Sequence, residues 1–197
     1  MNMVSSFDSA ESFNLTASRE GWPAFCDPGL EFASPELSDV LVIWERFAQD
    51  GRVPSRSQFS PRVLKRFLRN VAIYEHVQVG RDDRRYRVRL VGSSMVEVVG
   101  NIAGKYLDEA IPASFLPWWY ASLDATLGAR RPLRFLTRSD TNHREFLVGE
   151  YFSAPMAAVD GSASMVLGCS NYDGRDPWSI IEQKRALQRG PIESTSF

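Results

Sequence analysis

Hydrophobic positions along this chain change period several times, and each change marks an element. From Ser34-Pro35 onward the apolar residues Leu37, Val40, Leu41, Trp44, Phe47 and Ala48 recur at helical spacing. Ser34 is a residue type that caps orphan helix amides, and Pro35 suits the first helical position. Asp50-Gly51 ends the run. Ser60-Pro61 repeats the signature and predicts a short helix through Leu64, Phe67 and Leu68. The period then drops to two. Residues 71–79 read as a strand, and residues 85–91 as a second, joined by a turn at 80–83. Tyr86, Val88 and Leu90 share one face of the second strand while Arg85, Arg87 and Arg89 share the other, as in an antiparallel strand with one wet face.

Gly92, Gly100 and Gly104 punctuate short helical pieces around Met95, Val98 and Val99. A longer helix follows, with Ser114 as the expected cap and Pro117 in its first turn. Its apolar stripe is Leu116, Trp119 (or Tyr120), Leu123 and Leu127, and Gly128 is the expected stop. Strands are expected over 132–138, 145–157 and 163–172, the last two joined by the hairpin signal Asp160-Gly161. Asp176-Pro177 opens a final helix that Gly190 ends. Residues 1–33 are rich in Ser, Asp, Glu and Asn, and predict an irregular N-terminal arm with at most a short helix. The expected division is that arm, a domain over 34–175 that includes its N-terminal helix, and a C-terminal helix and tail over 176–197.

Composition narrows the class. The chain has 197 residues, 44% of them hydrophobic and 24% charged, which is globular rather than disordered. Its net charge of -1 supplies no global field toward nucleic acid or an anionic membrane, so neither is expected as a partner. Cys26 and Cys169 are too few for a disulfide scaffold or a Cys-rich metal site; they read as two reduced thiols or as one disulfide. The N-terminus lacks the basic and apolar regions of a secretory signal, and no stretch reaches the ~18 apolar residues of a membrane span. A cytoplasmic location is expected.

The element order, with the stretches LVIWERF, VPSRSQFSP, VAIYE, YRVRLVGSSM and GNIAGKYL, resembles a bacterial PAS family. The matching features are Trp44, Pro54, Arg56, Pro61, the hairpin that ends at Arg87 through Gly92, the pair Gly100 and Gly104, and Ala154-Pro155-Met156 on a later strand. The likeness covers roughly residues 37 to 170. The family often carries acidic residues where this chain has Gln58 and Ser60. The resemblance implies an α+β, PAS-like fold: a five-stranded antiparallel sheet with helices across one face, plus flanking N- and C-terminal helices. It also implies a role in signal transduction through protein partners, with homodimers formed through an N-terminal helix.

A PAS-like domain holds small molecules between the sheet and the helices that cross it, in a mostly apolar cavity. Met95, Val99, Leu107, Trp119, Leu123, Met165, Leu167 and Cys169 are the apolar residues expected there, and Met165, Leu167 and Cys169 share a strand face. Their other reading is a filled core. Glu75 shares parity with Val71, Ile73, Val77 and Val79 and so points inward, toward a ligand amine or a nearby Arg, unless a bulge returns it to solvent. Arg56 reads as a structural pin or as an anion or partner contact. Trp44 and Trp178 stand on flanking helices that cover the sheet or bury against a second copy.

Haem is disfavoured: His76 and His143 both lie outside the 113–128 helix, where a haem-binding relative would carry its axial ligand. Covalent flavin photochemistry is disfavoured too, since the Asn-Cys-Arg context of the flavin photosensors is missing. No nucleophile elbow, phosphate loop or zinc set is present, and adjacent Asp108-Glu109 reads as a solvated turn. The chain is therefore expected not to be an enzyme. Three functions stand in order: a sensory module with a small, largely apolar ligand and a protein partner, a ligand-free interaction adaptor, and last an unrecognised enzyme, which would need a polar cluster such as Glu75 with Arg and His in a cleft.

Overall fold

The computed structural model describes residues 6–48, 51–79, 83–139, 147–158 and 162–172. The elements are α1 (Ser6–Arg19), β1 (Ala24–Asp27), α2 (Pro35–Phe47), β2 (Val71–Val79), β3 (Asp83–Val91), α3 (Ser93–Val99), α4 (Leu107–Ala110), α5 (Leu116–Ala129), β4 (Leu133–Ser139), β5 (Leu147–Ala157) and β6 (Ala163–Asn171). One antiparallel sheet runs in the order β1-β4-β5-β6-β2-β3. The last five strands make the PAS-like sheet; the sixth strand, β1, is an addition at the β4 edge.

Residues 1–33, expected to be irregular, thus supply a helix of 14 residues and that extra strand. The physical reason is a sparse apolar stripe, mostly alanine: Ala10, Phe13 and Ala17 fall at helical spacing and are buried. Asn14 of α1 closes the free edge of β1. Its side-chain amide donates to the Cys26 carbonyl and accepts from the Cys26 N–H, both at 2.8 Å, as a neighbouring strand would.

Helices cover both faces of the sheet, not one. On one face α2 lays Leu37, Val40 and Trp44 over Val71, Ile73, Phe152, Ala154, Met156, Met165, Leu167 and Cys169. On the other, α3, α4 and α5 pack on Ala72, Tyr74, Tyr86, Val88 and Val166, and α1 packs on Ala24, Cys26, Leu133 and Phe135. The Trp44 indole N–H donates to the Pro155 carbonyl at 2.9 Å. Pro155 lies past the end of β4, whose last partner on β5 is Ser153, so the missing proline donor costs no ladder bond. Two residues on, Ala157 N–H donates to the Pro54 carbonyl at 2.8 Å. Trp44 and Pro54 therefore seal the half of β5 that β4 leaves open.

The remaining differences from expectation are local. Residues 61–70 form successive turns rather than a helix. The cap of α5 is Phe115 rather than Ser114, and the helix ends at Arg130 (φ 54), two residues beyond Gly128. Gly92 is required for space: a Cβ there would lie 2.3 Å from the Leu68 carbonyl oxygen and 2.4 Å from that of Arg69. The expected hairpin at Asp160-Gly161, His143, and the final helix with Trp178 lie outside the described residues.

Candidate functional site

The inner face of the sheet carries its smallest side chains where α5 crosses it. Ser153, Gly168 and Ser170 lie there, and Gly168 has the Tyr74 ring 3.3 Å from where its Cβ would be. Large rings surround these small residues: Tyr74, Phe135 and Tyr151 from the sheet, Trp118 and Trp119 from α5, and Phe13 from α1. They enclose an inner chamber of about 60 Å³. Trp118, Trp119, Thr137 and Tyr151 also line an outer cleft of about 470 Å³. That cleft is bounded by α3 and the α4–α5 connection, with Val99, Ile111, Phe115, Glu97, Arg138 and Tyr172 in its wall. Its volume lies in the range of small-molecule pockets, about 300–1,000 Å³.

Helix α5 is apolar on two sides, which fits a helix buried between layers. Leu123 and Tyr120 turn to the sheet, while Ala121, Ala125 and Ala129 turn to Ala10 and Ala17 of α1. Two polar contacts pin it. The Tyr86 hydroxyl donates to the Asp124 carboxylate at 2.5 Å. Thr126 donates to the Ser122 carbonyl at 2.8 Å, so the 2.9 Å contact of Thr126 with Ser153 uses the Ser153 proton.

Among the described residues no charged side chain lines the inner chamber. Its polar side-chain groups are hydroxyls, the indoles of Trp118 and Trp119, and the Cys169 thiol. Tyr151 donates to the Tyr172 hydroxyl at 3.2 Å. Burial pushes the Tyr74, Tyr151 and Tyr172 hydroxyls above the usual tyrosine range, so all three are protonated at neutral pH. The Trp118 Nε1 donor is buried and has no acceptor among the described residues. The arrangement suits an uncharged group held by packing and hydrogen bonds.

Of the residues singled out from sequence, Met95, Trp119 and Leu123 line the inner chamber, and Val99 lines the outer cleft. Leu107 is fully buried in the core beside them. Met165, Leu167 and Cys169 do share a face, but it is the α2 face; Cys169 borders the chamber only through its place between Gly168 and Ser170. Glu75 shares that outer face beyond the reach of α2, half-buried, and forms a 3.5 Å ion pair with Arg89. Arg56 donates to the Phe59 carbonyl at 2.9 Å within its own turn; burial, with Arg89 nearby, lowers its pKa. Trp44 covers the sheet of its own chain. His76 packs against Tyr86, with ring centroids 5.3 Å apart, and lines neither cavity. Sequence reasoning missed Phe13, Tyr74, Trp118, Tyr151 and the small residues opposite them. The signal for Phe13 was the Ala10–Phe13–Ala17 spacing.

A second polar centre lies on the α2 face. Arg134, 2% exposed, donates to Glu150 at 2.6 Å and to Asp27 at 2.8 Å. Glu150 also accepts the backbone N–H groups of Ala33 and Ser34, each at 2.9 Å. This network ties β1, β4, β5 and the start of α2 together. Among the described residues no group of His, Cys, Asp and Glu is placed to hold a metal ion, and no helix is long and apolar enough to cross a membrane.

The fold is PAS-like, with the candidate site between the sheet and the helices of one face. No family model matches the chain, and no curated protein matches it. Among solved structures it is similar to an RNA-binding light-oxygen-voltage receptor, with 11% identity and a TM-score of 0.44, covering 84% of this chain and 42% of that one. It is also similar to a light-oxygen-voltage domain studied with a flavin analogue, with 12% identity and a TM-score of 0.40, covering 67% of this chain and 98% of that one. This chain thus spans less than half the length of the first.

Proposed function

We propose that this is a sensory module that binds a small, uncharged molecule between the sheet and α5 and passes the change to a protein partner in signal transduction. The observation that carries the reading is the ring-lined chamber, without charge among the described residues, which shares the walls Trp118, Trp119, Thr137 and Tyr151 with a cleft of about 470 Å³. A route outward is built into the same walls. Phe13 of α1 lines the chamber, 5.0 Å from the Phe135 ring centroid. The contact of α1 with α5 is rich in alanine, with Ala10 and Ala17 against Ala121, Ala125 and Ala129, and such small side chains do little to lock one register. A ligand that fits one position of α1 better than another would shift that helix by its difference in affinity.

A second reading, a ligand-free adaptor, draws support from the 60 Å³ inner chamber, small against the usual pocket range. Exposed Leu15 on α1 and Val42 on α2 would then be contact points. Native mass spectrometry of the protein purified from its own host, followed by denaturing extraction, separates the two. A reproducible extra mass released on denaturation supports the sensor and gives the ligand's class. A bare mass, with no thermal stabilisation across a metabolite library, supports the adaptor. The same spectrum reads monomer against homodimer.

A further inference from the structure

The geometry points to an uncharged aromatic compound bearing a carbonyl acceptor as the ligand, its carbonyl received by the indole N–H of Trp118. The inference rests on the sensory reading of the cavity and specifies its occupant. Trp118 lines both the inner chamber and the outer cleft; its Nε1 has no solvent contact and no acceptor among the described residues, so a ligand reaches it by displacing a neighbour in the wall. Buried donors in folded proteins are almost always satisfied, so an acceptor arriving with a ligand completes what the wall lacks. An indole N–H only donates, which excludes a ligand group that itself can only donate. The chamber's other polar groups, such as the hydroxyls of Thr137 and Tyr151, are neutral. Among the described residues no charged side chain lines the chamber to compensate a desolvated carboxylate or ammonium. The rings of Phe13, Trp119 and Phe135 supply flat apolar walls that suit an aromatic body.

Three probes share one ring and differ in the head: acetophenone, ethylbenzene and benzoate. Each is titrated into the full chain by calorimetry. Acetophenone is expected to bind about tenfold more tightly than ethylbenzene, the size of one added hydrogen bond, and benzoate at least tenfold more weakly than acetophenone. In Trp118→Phe the ketone and the hydrocarbon are expected to bind alike, the ratio of their two affinities being the readout because the smaller ring reshapes the wall for both. Equal binding of the two probes to the wild-type protein, or a gap that survives Trp118→Phe, overturns the assignment of the acceptor while leaving the cavity reading standing. Failure of all three probes to bind at millimolar concentration overturns the cavity reading itself. Should Trp118→Phe not fold, the indole ¹⁵N–¹H resonance of Trp118 carries the test. It must shift with acetophenone and stay in place with ethylbenzene.

Discussion

Replacing Arg134 by Met removes the centre of the polar network on the α2 face at nearly constant volume. Arg134 is 2% exposed, and its partner Glu150 has only 8% of its side chain in contact with solvent. The substitution leaves the Glu150 carboxylate buried without its cation, and Asp27, 18% exposed, without its partner. Breaking one side of a buried pair costs about 3–5 kcal/mol, because the charge left behind has lost water as well as its partner. That is a large share of a typical folding stability of about 5–15 kcal/mol. For a chain of this length it corresponds to a fall in Tm on the order of 10 °C. Urea unfolding followed by tryptophan fluorescence and far-ultraviolet circular dichroism measures it. Changing both residues, Arg134→Met with Glu150→Met, is expected to recover little. Glu150 also accepts the amides of Ala33 and Ser34, and the double change strands both. A loss below about 1 kcal/mol for Arg134→Met would refute the reasoning, since the carboxylates would then be solvated.

Gly92→Ala is expected to destabilise by about 3 kcal/mol, at the upper end for overpacking. The clashing atoms are the Leu68 and Arg69 carbonyls, and backbone cannot rotate away; a near-neutral urea midpoint would show that the segment yields. Alkaline pH should weaken the fold before the tyrosines titrate. Burial pushes the Cys169 thiol up to about 12 and the Cys26 thiol higher still. Both stay neutral when folded but ionise near pH 8.5 when unfolded. Their contribution is fully present below about pH 8.5 and is lost as pH rises toward the folded values. Each thiol then costs about 1.4 kcal/mol by pH 9.5, so stability should drop by about 3 kcal/mol from pH 7.5 to 9.5, and by about half of that in Cys169→Ala. A flat profile would sink this argument. Both cysteines are free and buried. Neither should react with a thiol reagent at pH 7.5 until urea unfolds the chain, whereas immediate labelling would show an open core.

How much was legible in the sequence depends on what each residue had to signal. Strands β2 and β3 were plain, because Tyr86 and Val88 alternate with arginines and only one register buries them. The N-terminal elements were hidden for the opposite reason. The buried stripe of α1 is mostly alanine, so it carries little hydrophobic contrast, and β1 has only four residues, AFCD. The site shows the same physics more sharply. On β6 the alternation placed Met165, Leu167 and Cys169 together correctly, but they were expected in the cavity and they face α2. In a sheet covered on one side only, an apolar strand face has just one set of helices to meet. This sheet is covered twice, by α2 on one side and α5 on the other, so both sides of β6 are buried. The face packed solidly against α2 takes the bulk of Met165 and Leu167. A face that leaves room for a guest must instead give up side-chain volume, and here it does so at Gly168 and Ser170, with Ser153 beside them. In a doubly covered sheet the stretch of strand that reads as small and weakly polar is therefore the better marker of a ligand chamber.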